Sequence, residues 1–195
     1  MGETVKTKKR KIAWGITGAG DKIAEIIGVM KDFKAQSEDK VEIEVYLSKA
    51  AVTMLKFYRL DEDLKKSFSK IMIEMNANSP FLAAWMQSGK YEFMVIAPAS
   101  SNTIAKIANS ISDTMLTNAA LMGLKAFQQI YMLPTDYRQG VVTTKLPNGK
   151  EMKLRVRKEE ADQVRKLEAM DGMHTFENPE EMKAFLLNWL KTVKD

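Results

Sequence analysis

Short apolar runs and segments of helical period take turns along almost the whole chain, and this alternation is what most narrows the folds open to it. Lys11–Thr17 (KIAWGIT), Val41–Leu47 (VEIEVYL), Ile71–Met75, Tyr91–Ala97 (YEFMVIA) and Gln129–Leu133 read as strands. Between them Lys22–Phe33, Ala50–Tyr58, Pro80–Gln87, Thr103–Asn109 and Asn118–Phe127 read as helices, with Ile23, Ile26, Ile27 and Met30 sharing one face of the first. Phe93–Ala97 is apolar without alternation, as a strand covered on both faces must be. The order predicts an α/β protein with a doubly wound, mainly parallel sheet.

One stretch departs from that order. Val141–Thr144 and Met152–Val156 flank Leu146-Pro147-Asn148-Gly149-Lys150, and Asn-Gly between alternating runs signals a β-hairpin. It reads as an appendage near 141–156, either a flap or an oligomer contact. The chain then closes with a helix (Glu159–Met170), a short strand (Met173–Phe176) and a helix (Glu180–Val193) whose Met182, Phe185, Trp189 and Leu190 form an apolar face. The expected organisation is a basic tail over residues 1–10 and one domain over 11–195.

Composition removes several chemistries. The 195 residues contain no cysteine, which excludes disulfides, thiolate nucleophiles and iron–sulfur clusters held by this chain. The single histidine, His174, argues against a transition-metal site or a serine–histidine triad and reads as structural. No apolar run reaches the roughly 20 residues of a membrane span, and no signal-type apolar stretch follows the basic start, so a cytoplasmic protein is expected. The net charge is +5, of which Lys6, Lys8, Lys9 and Arg10 less Glu3 place +3 in the first ten residues. A basic face carrying aromatic residues, the mark of a nucleic-acid binder, is not visible. An acidic protein partner such as a small electron carrier is compatible with the mild positive charge.

In an open parallel sheet, ligands bind beyond the carboxyl ends of the strands. Thr17-Gly18-Ala19-Gly20-Asp21 follows the first strand. Its glycines allow close approach of a phosphate, and the next helix offers free N–H groups; the alternative is a tight turn with Asp21 as helix N-cap. A dinucleotide fingerprint fails, because Ile23 stands at the third glycine position and the second strand ends in Leu47-Ser48-Lys49 rather than an acid. That favours a mononucleotide over NAD. After the central strand comes Pro98-Ala99-Ser100-Ser101-Asn102-Thr103, where hydroxyls and an amide crowd the ligand edge beyond what capping one helix needs.

This last segment resembles the Pro-x-Ser-Ala-Asn-Thr motif of the flavoproteins that include the homo-oligomeric flavin-containing cysteine decarboxylases and the flavin prenyltransferases. The order agrees as well: Gly18-Ala19-Gly20 after the first strand, Leu47-Ser48-Lys49-x-Ala51 after the second, and Asp113–Asn118 after the central helix. The decarboxylases carry a catalytic histidine near Glu74–Phe81, where this chain has none. Met132–Arg138 replaces their substrate-binding Ala-Met-Asn-x-x-Met stretch, so both departures argue against decarboxylation. Ala13-Trp14-Gly15-Ile16-Thr17-Gly18-x-Gly20, Asn76-Ala77-Asn78-x-Pro80-Phe81 and Leu133-Pro134-Thr135-Asp136 instead resemble the archaeoflavoproteins and their relatives that reduce dihydromethanopterin.

The resemblance implies a noncovalent FMN protein, a homo-oligomer with FMN at subunit interfaces, that accepts electrons from ferredoxin and passes them on. It assigns Gly18, Ala19, Gly20 and Ser48 to the phosphate and ribityl chain. Ala99, Ser100, Ser101, Asn102 and Thr103 would lie along the ribityl chain and ring edge. Asn76 and Asn78 would meet the flavin of a neighbouring subunit, with Asp113 nearby. No side chain is implied to be catalytic, because the flavin supplies the redox chemistry. Trp14 reads as packing, and Tyr137 and Arg138 as candidates to cover the flavin or bind an acceptor. The competing readings are a dihydromethanopterin reductase, a flavin prenyltransferase, a cysteinyl decarboxylase and a mononucleotide-binding module without redox activity.

Overall fold

Strands that are apolar on both faces need a helical layer on each side. The computed structural model, which describes residues 9–193, supplies both. A six-stranded parallel sheet runs in the order β3 (Ile71–Ile73), β2 (Val41–Leu47), β1 (Arg10–Ile16), β4 (Phe93–Ala99), β5 (Gln129–Pro134), β8 (Met173–Thr175). Helices α1 (Ile23–Ser37), α2 (Lys49–Phe57), α3 (Asp61–Ser67) and α8 (Pro179–Leu190) pack with one face. Helices α4 (Leu82–Gln87), α5 (Ser101–Ala108), α6 (Met115–Lys125) and α7 (Lys158–Glu168) pack with the other. Strands β6 (Gly140–Lys145) and β7 (Glu151–Val156) pair antiparallel, apart from the main sheet. The doubly wound sheet and the hairpin are therefore as the sequence predicts.

The period of two within each strand divides the core. Ile12, Trp14 and Ile16 of β1 join Val45, Val95 and Ala97 beneath α1, α2 and α8, while Ala13 joins Tyr46, Met94, Ile96 and Met132 beneath α4–α7. Gly15 is required by close packing: a Cβ there would lie 2.8 Å from Leu116 Cδ2 of α6. Trp14 is fully buried and donates from Nε1 to Ala97 O at 2.8 Å, so its role is packing. His174 stacks on Tyr131 with ring centroids 4.7 Å apart, and its Nε2 lies 2.7 Å from Gln129 Oε1.

Helix boundaries differ from the sequence reading where a cap decides them. Helix α5 begins at Ser101 rather than Thr103 because Ser100 is its N-cap. Helix α6 begins at Met115 rather than Asn118 because Thr114 and Thr117 form a capping box. Helix α3 has no counterpart in the sequence reading; it buries only Leu64, too little to print an apolar stripe on the sequence. Residues 1–8 of the expected basic tail lie outside the described residues. Among the described residues, no helix is long and apolar enough to cross a membrane.

The sheet also buries a charge. Glu44, in β2, is 2% exposed and receives hydrogen bonds from Lys90 Nζ at 2.7 Å, Tyr91 Oη at 2.5 Å and Lys11 Nζ at 3.3 Å. Tyr46 completes the cluster by bonding both Glu44 and Tyr91. Burial opposes the carboxylate's charge, but the bonds from Lys90 and Tyr91, the Lys90 charge and the bond from Lys11 outweigh it and lower its pKa from 4.5 to about 2. A folded-state value below the unfolded one stabilises the fold above about pH 4.5, and that contribution disappears as the pH falls towards about 2. Glu44→Gln is expected to cost about 2–4 kcal/mol at pH 7. Urea unfolding followed from pH 7 to pH 2 should show a shallower acid limb for the variant than for the parent.

Candidate functional site

The strand order reverses between β1 and β4, and a crevice opens where their carboxyl ends diverge. Thr17 fixes this point. Its buried hydroxyl donates to Pro98 O at 2.7 Å and accepts from Ser100 N at 2.9 Å, while Thr17 N reaches Pro98 O at 3.3 Å. A register shift between Ile96 and Ala99 bends the end of β4, as bulges beside sites commonly do. The next strand is held in line by Thr135 N, which donates to Ala99 O at 3.1 Å.

The first turns of α2 and α5 point into this region. Ser48 caps α2, accepting from Ala51 N at 3.1 Å, and Ser100 caps α5, accepting from Thr103 N at 3.4 Å. Ser100 Oγ also lies 3.1 Å from Thr103 Oγ1. The N–H groups of Ser101 and Asn102 begin a helix and have no intrahelical acceptor. Helix N-termini of this kind attract anions through their N–H groups and aligned dipoles.

Between these elements and the hairpin lies a cleft of ≈ 460 Å³, within the roughly 300–1,000 Å³ of small-molecule sites. Its polar end presents Ala19, Gly20, Asp21, Ser100, Ser101 and Asn102, with Thr135 and Asp136 beside them. Ser101 Oγ donates to Asp136 Oδ2. Its apolar walls are Met54, Phe57 and Tyr58 at the end of α2, and Val142, Leu146, Met152 and Leu154 of the hairpin. Phe57, Met152 and Leu154 remain 57%, 37% and 44% exposed, which leaves apolar surface facing the cleft uncovered.

The glycine loop is a cradle that side chains would fill. A Cβ on Gly18 would lie 2.6 Å from Ala50 Cβ, and one on Gly20 would lie 2.6 Å from Tyr58 Cε2 and Oη. Asp21 is not the N-cap of α1, contrary to the alternative reading of this loop. Lys22 takes that position in a left-handed conformation (φ 55°) without a side-chain cap, and Asp21 is left to line the cleft.

The structure thus brings together Gly18, Ala19, Gly20, Ser48, Ala99, Ser100, Ser101, Asn102 and Thr103 at one end of the sheet. It does not bring Asn76, Asn78 or Asp113 into the cleft. Asn76 Oδ1 accepts from Asn78 N at 2.9 Å, and Asn78 Oδ1 accepts from Asn118 Nδ2 at 3.0 Å, in the loop before α4. Asp113 is exposed and pairs with Lys106 at 2.8 Å. Tyr137 and Arg138 point elsewhere too, bonding Glu168 at 2.7 Å and Glu177 at 2.5 Å.

Sequence reasoning missed Met54, Phe57, Tyr58 and the hairpin's inner face. The alternation of Val142, Thr144, Met152 and Leu154 carried that last signal. It also missed Glu74, whose carboxylate accepts from Lys49 N at 3.1 Å and Met115 N at 2.9 Å, the first residues of α2 and α6.

The profile of the family described as Flavoprotein matches residues 2–188, nearly the full length of the chain. The chain belongs to the flavoprotein family. It is 39% identical to an uncharacterised protein of Methanocaldococcus jannaschii over 94% of its own length and 98% of that protein's. It is 28% identical to a dihydromethanopterin reductase (acceptor) of the same organism, covering 90% of this chain and 95% of the relative. Among solved structures it resembles Burkholderia xenovorans DmrB in complex with FMN, described as a cubic protein cage for redox transfer. There the TM-score is 0.79 with 31% identity, over 94% of this chain and 97% of that one.

The residues of this flavoprotein suit a mononucleotide of flavin type. Glycines and helix N-termini match a phosphate, the hydroxyls and amide of Ser100–Thr103 match a polyol, and the uncovered apolar walls match a planar ring. The two glycines are expected to respond differently to alanine. The Gly18 methyl would meet Ala50 Cβ, which is fixed to the backbone of α2, whereas the Gly20 methyl would meet a tyrosine ring that can rotate. Gly18→Ala should cost about 1–3 kcal/mol in stability and Gly20→Ala less. Thermal or urea unfolding of the two variants side by side checks the order.

Proposed function

We propose that this chain is an FMN-dependent electron-transfer flavoprotein that accepts electrons from a reduced ferredoxin and passes them to a further acceptor. The observation that carries the reading is the cleft itself. A glycine cradle crowded by Ala50 at Gly18 and by the Tyr58 ring at Gly20 sits beside the capped start of α5, and both face apolar walls left partly exposed among the described residues. Family membership and the FMN complex of DmrB support FMN as the ligand.

In this reading Gly18, Ala19, Gly20 and Ser48 take the phosphate end, with Ala50 N and the α5 N-terminus as donors. Ser100, Ser101, Asn102 and Thr103 hold the ribityl chain, and Ala99 fixes the strand end beneath them. Met54, Phe57, Tyr58, Met152 and Leu154 exclude water from the ring. Asn76 and Asn78, which lie outside the protomer's own cleft, serve across a subunit interface, with Asp113 nearby. Bound FMN supplies one- and two-electron redox chemistry, and the protein supplies position and surroundings. The setting is cytoplasmic, alongside the donor.

A second reading makes dihydromethanopterin the acceptor. It is favoured by the reductase from M. jannaschii, which matches 90% of this chain.

The test is an anaerobic titration. FMN added to the purified protein should bind at one per subunit and give a flavin spectrum that bleaches with reduced ferredoxin. Reoxidation by dihydromethanopterin would select the second reading; failure to take up FMN would overturn both. Asn102 is exposed and caps nothing, so Asn102→Ala should leave stability within about 0.5 kcal/mol. The same change should weaken FMN binding about tenfold, the loss of about one hydrogen bond.

A further inference from the structure

The charge of this protein is not where its termini suggest. Residues 138–158 contain seven Lys or Arg and one acid, Glu151, although the whole chain carries only +5. Three of these cations are satisfied locally: Arg138 pairs with Glu177, Arg157 with Glu160, and Lys158 with Asp162. Lys145, Lys150, Lys153 and Arg155 make no side-chain ion pair or hydrogen bond among the described residues.

The hairpin register sorts its side chains. Val142 faces Leu154 and Thr144 faces Met152, and all four line the cleft. Val141 faces Arg155, Thr143 faces Lys153, and Lys145 faces Glu151 on the opposite side. Arg155, Lys153 and Lys145 therefore stand on the outer face, Lys150 stands at the turn, and Val141 is an apolar spot among them at 68% exposure. The basic face and the cleft wall are the two sides of one β-ribbon.

We propose that the outer face of the β6–β7 hairpin is the docking surface for an acidic electron-carrier protein. The proposal rests on the electron-accepting function argued above. Unpaired cations around a small apolar centre complement a carrier whose exposed rim is acidic, and such fields raise association rates by about 10–10³. Docking there brings the carrier within one strand layer of the cleft's apolar wall, which a nonspecific charge elsewhere on the molecule would not do. Each docked carrier gives up one electron and leaves oxidised. Two dockings supply the two electrons that a flavin takes up with two protons from water.

The experiment compares the parent with a variant carrying Lys145→Gln, Lys150→Gln, Lys153→Gln and Arg155→Gln. Binding of an acidic ferredoxin to the apo chain is measured first, over a range of ionic strength. Reduction of the FMN-loaded chain by the same ferredoxin and by dithionite follows. The variant is expected to bind ferredoxin at least about tenfold more slowly at low salt and to lose most of the salt dependence, while dithionite reduces both proteins at one rate.

Equal ferredoxin binding with an unchanged salt slope would overturn the proposal. So would a variant whose only change is its oligomeric state, or a parent that prefers duplex DNA to ferredoxin at this face. Absence of FMN uptake would fail the functional reading alone, since the apo binding result stands separately.

Discussion

One buried hydroxyl organises this site. Thr17 follows β1, and by donating to Pro98 O and accepting from Ser100 N it ties the two strands whose order reverses. The glycine loop leaves from one side of that knot and the capped start of α5 from the other. The hydroxyl adds to the backbone bond from Thr17 N to Pro98 O in holding together the two segments that converge on the cleft. The surrounding core supports the same geometry: Trp14 binds Ala97 O one turn of pleat away, and Gly15 allows α6 to press against the sheet.

The fold was legible because its signals were strong and local. Phe93–Ala97 is apolar without alternation, which points to a strand covered on both faces. The Asn148-Gly149 turn announced the hairpin. The polar end of the cleft was equally legible, because glycines and hydroxyls beyond a strand have few structural reasons to cluster. The apolar end was not. Phe57 and Tyr58 look like helix residues of mixed environment, and only the tertiary course of α2 shows that they line the same cleft as the hairpin. Helix α3 escaped for the opposite reason, since a helix burying little beyond Leu64 prints almost no period.

The hairpin illustrates how little two strands can do alone. A two-stranded ribbon is marginal in water, and this one buries Thr144 and Val156 but leaves Met152 and Leu154 partly exposed. Its stability and its placement depend on what lies beneath its inner face. A cleft wall built this way is better able to adapt to its contents than one built from the central sheet.

Glu74 has a consequence of its own. Its N–H donates to Leu47 O at 2.9 Å and its carboxylate accepts from Lys49 N at 3.1 Å, so one residue grips the chain on both sides of Ser48. The same carboxylate holds Met115 N at the start of α6, on the other side of the sheet. The exposed Met75 and Phe81 lie in the segment that follows. The periphery of the sheet and the mouth of its crevice are thus joined through one carboxylate.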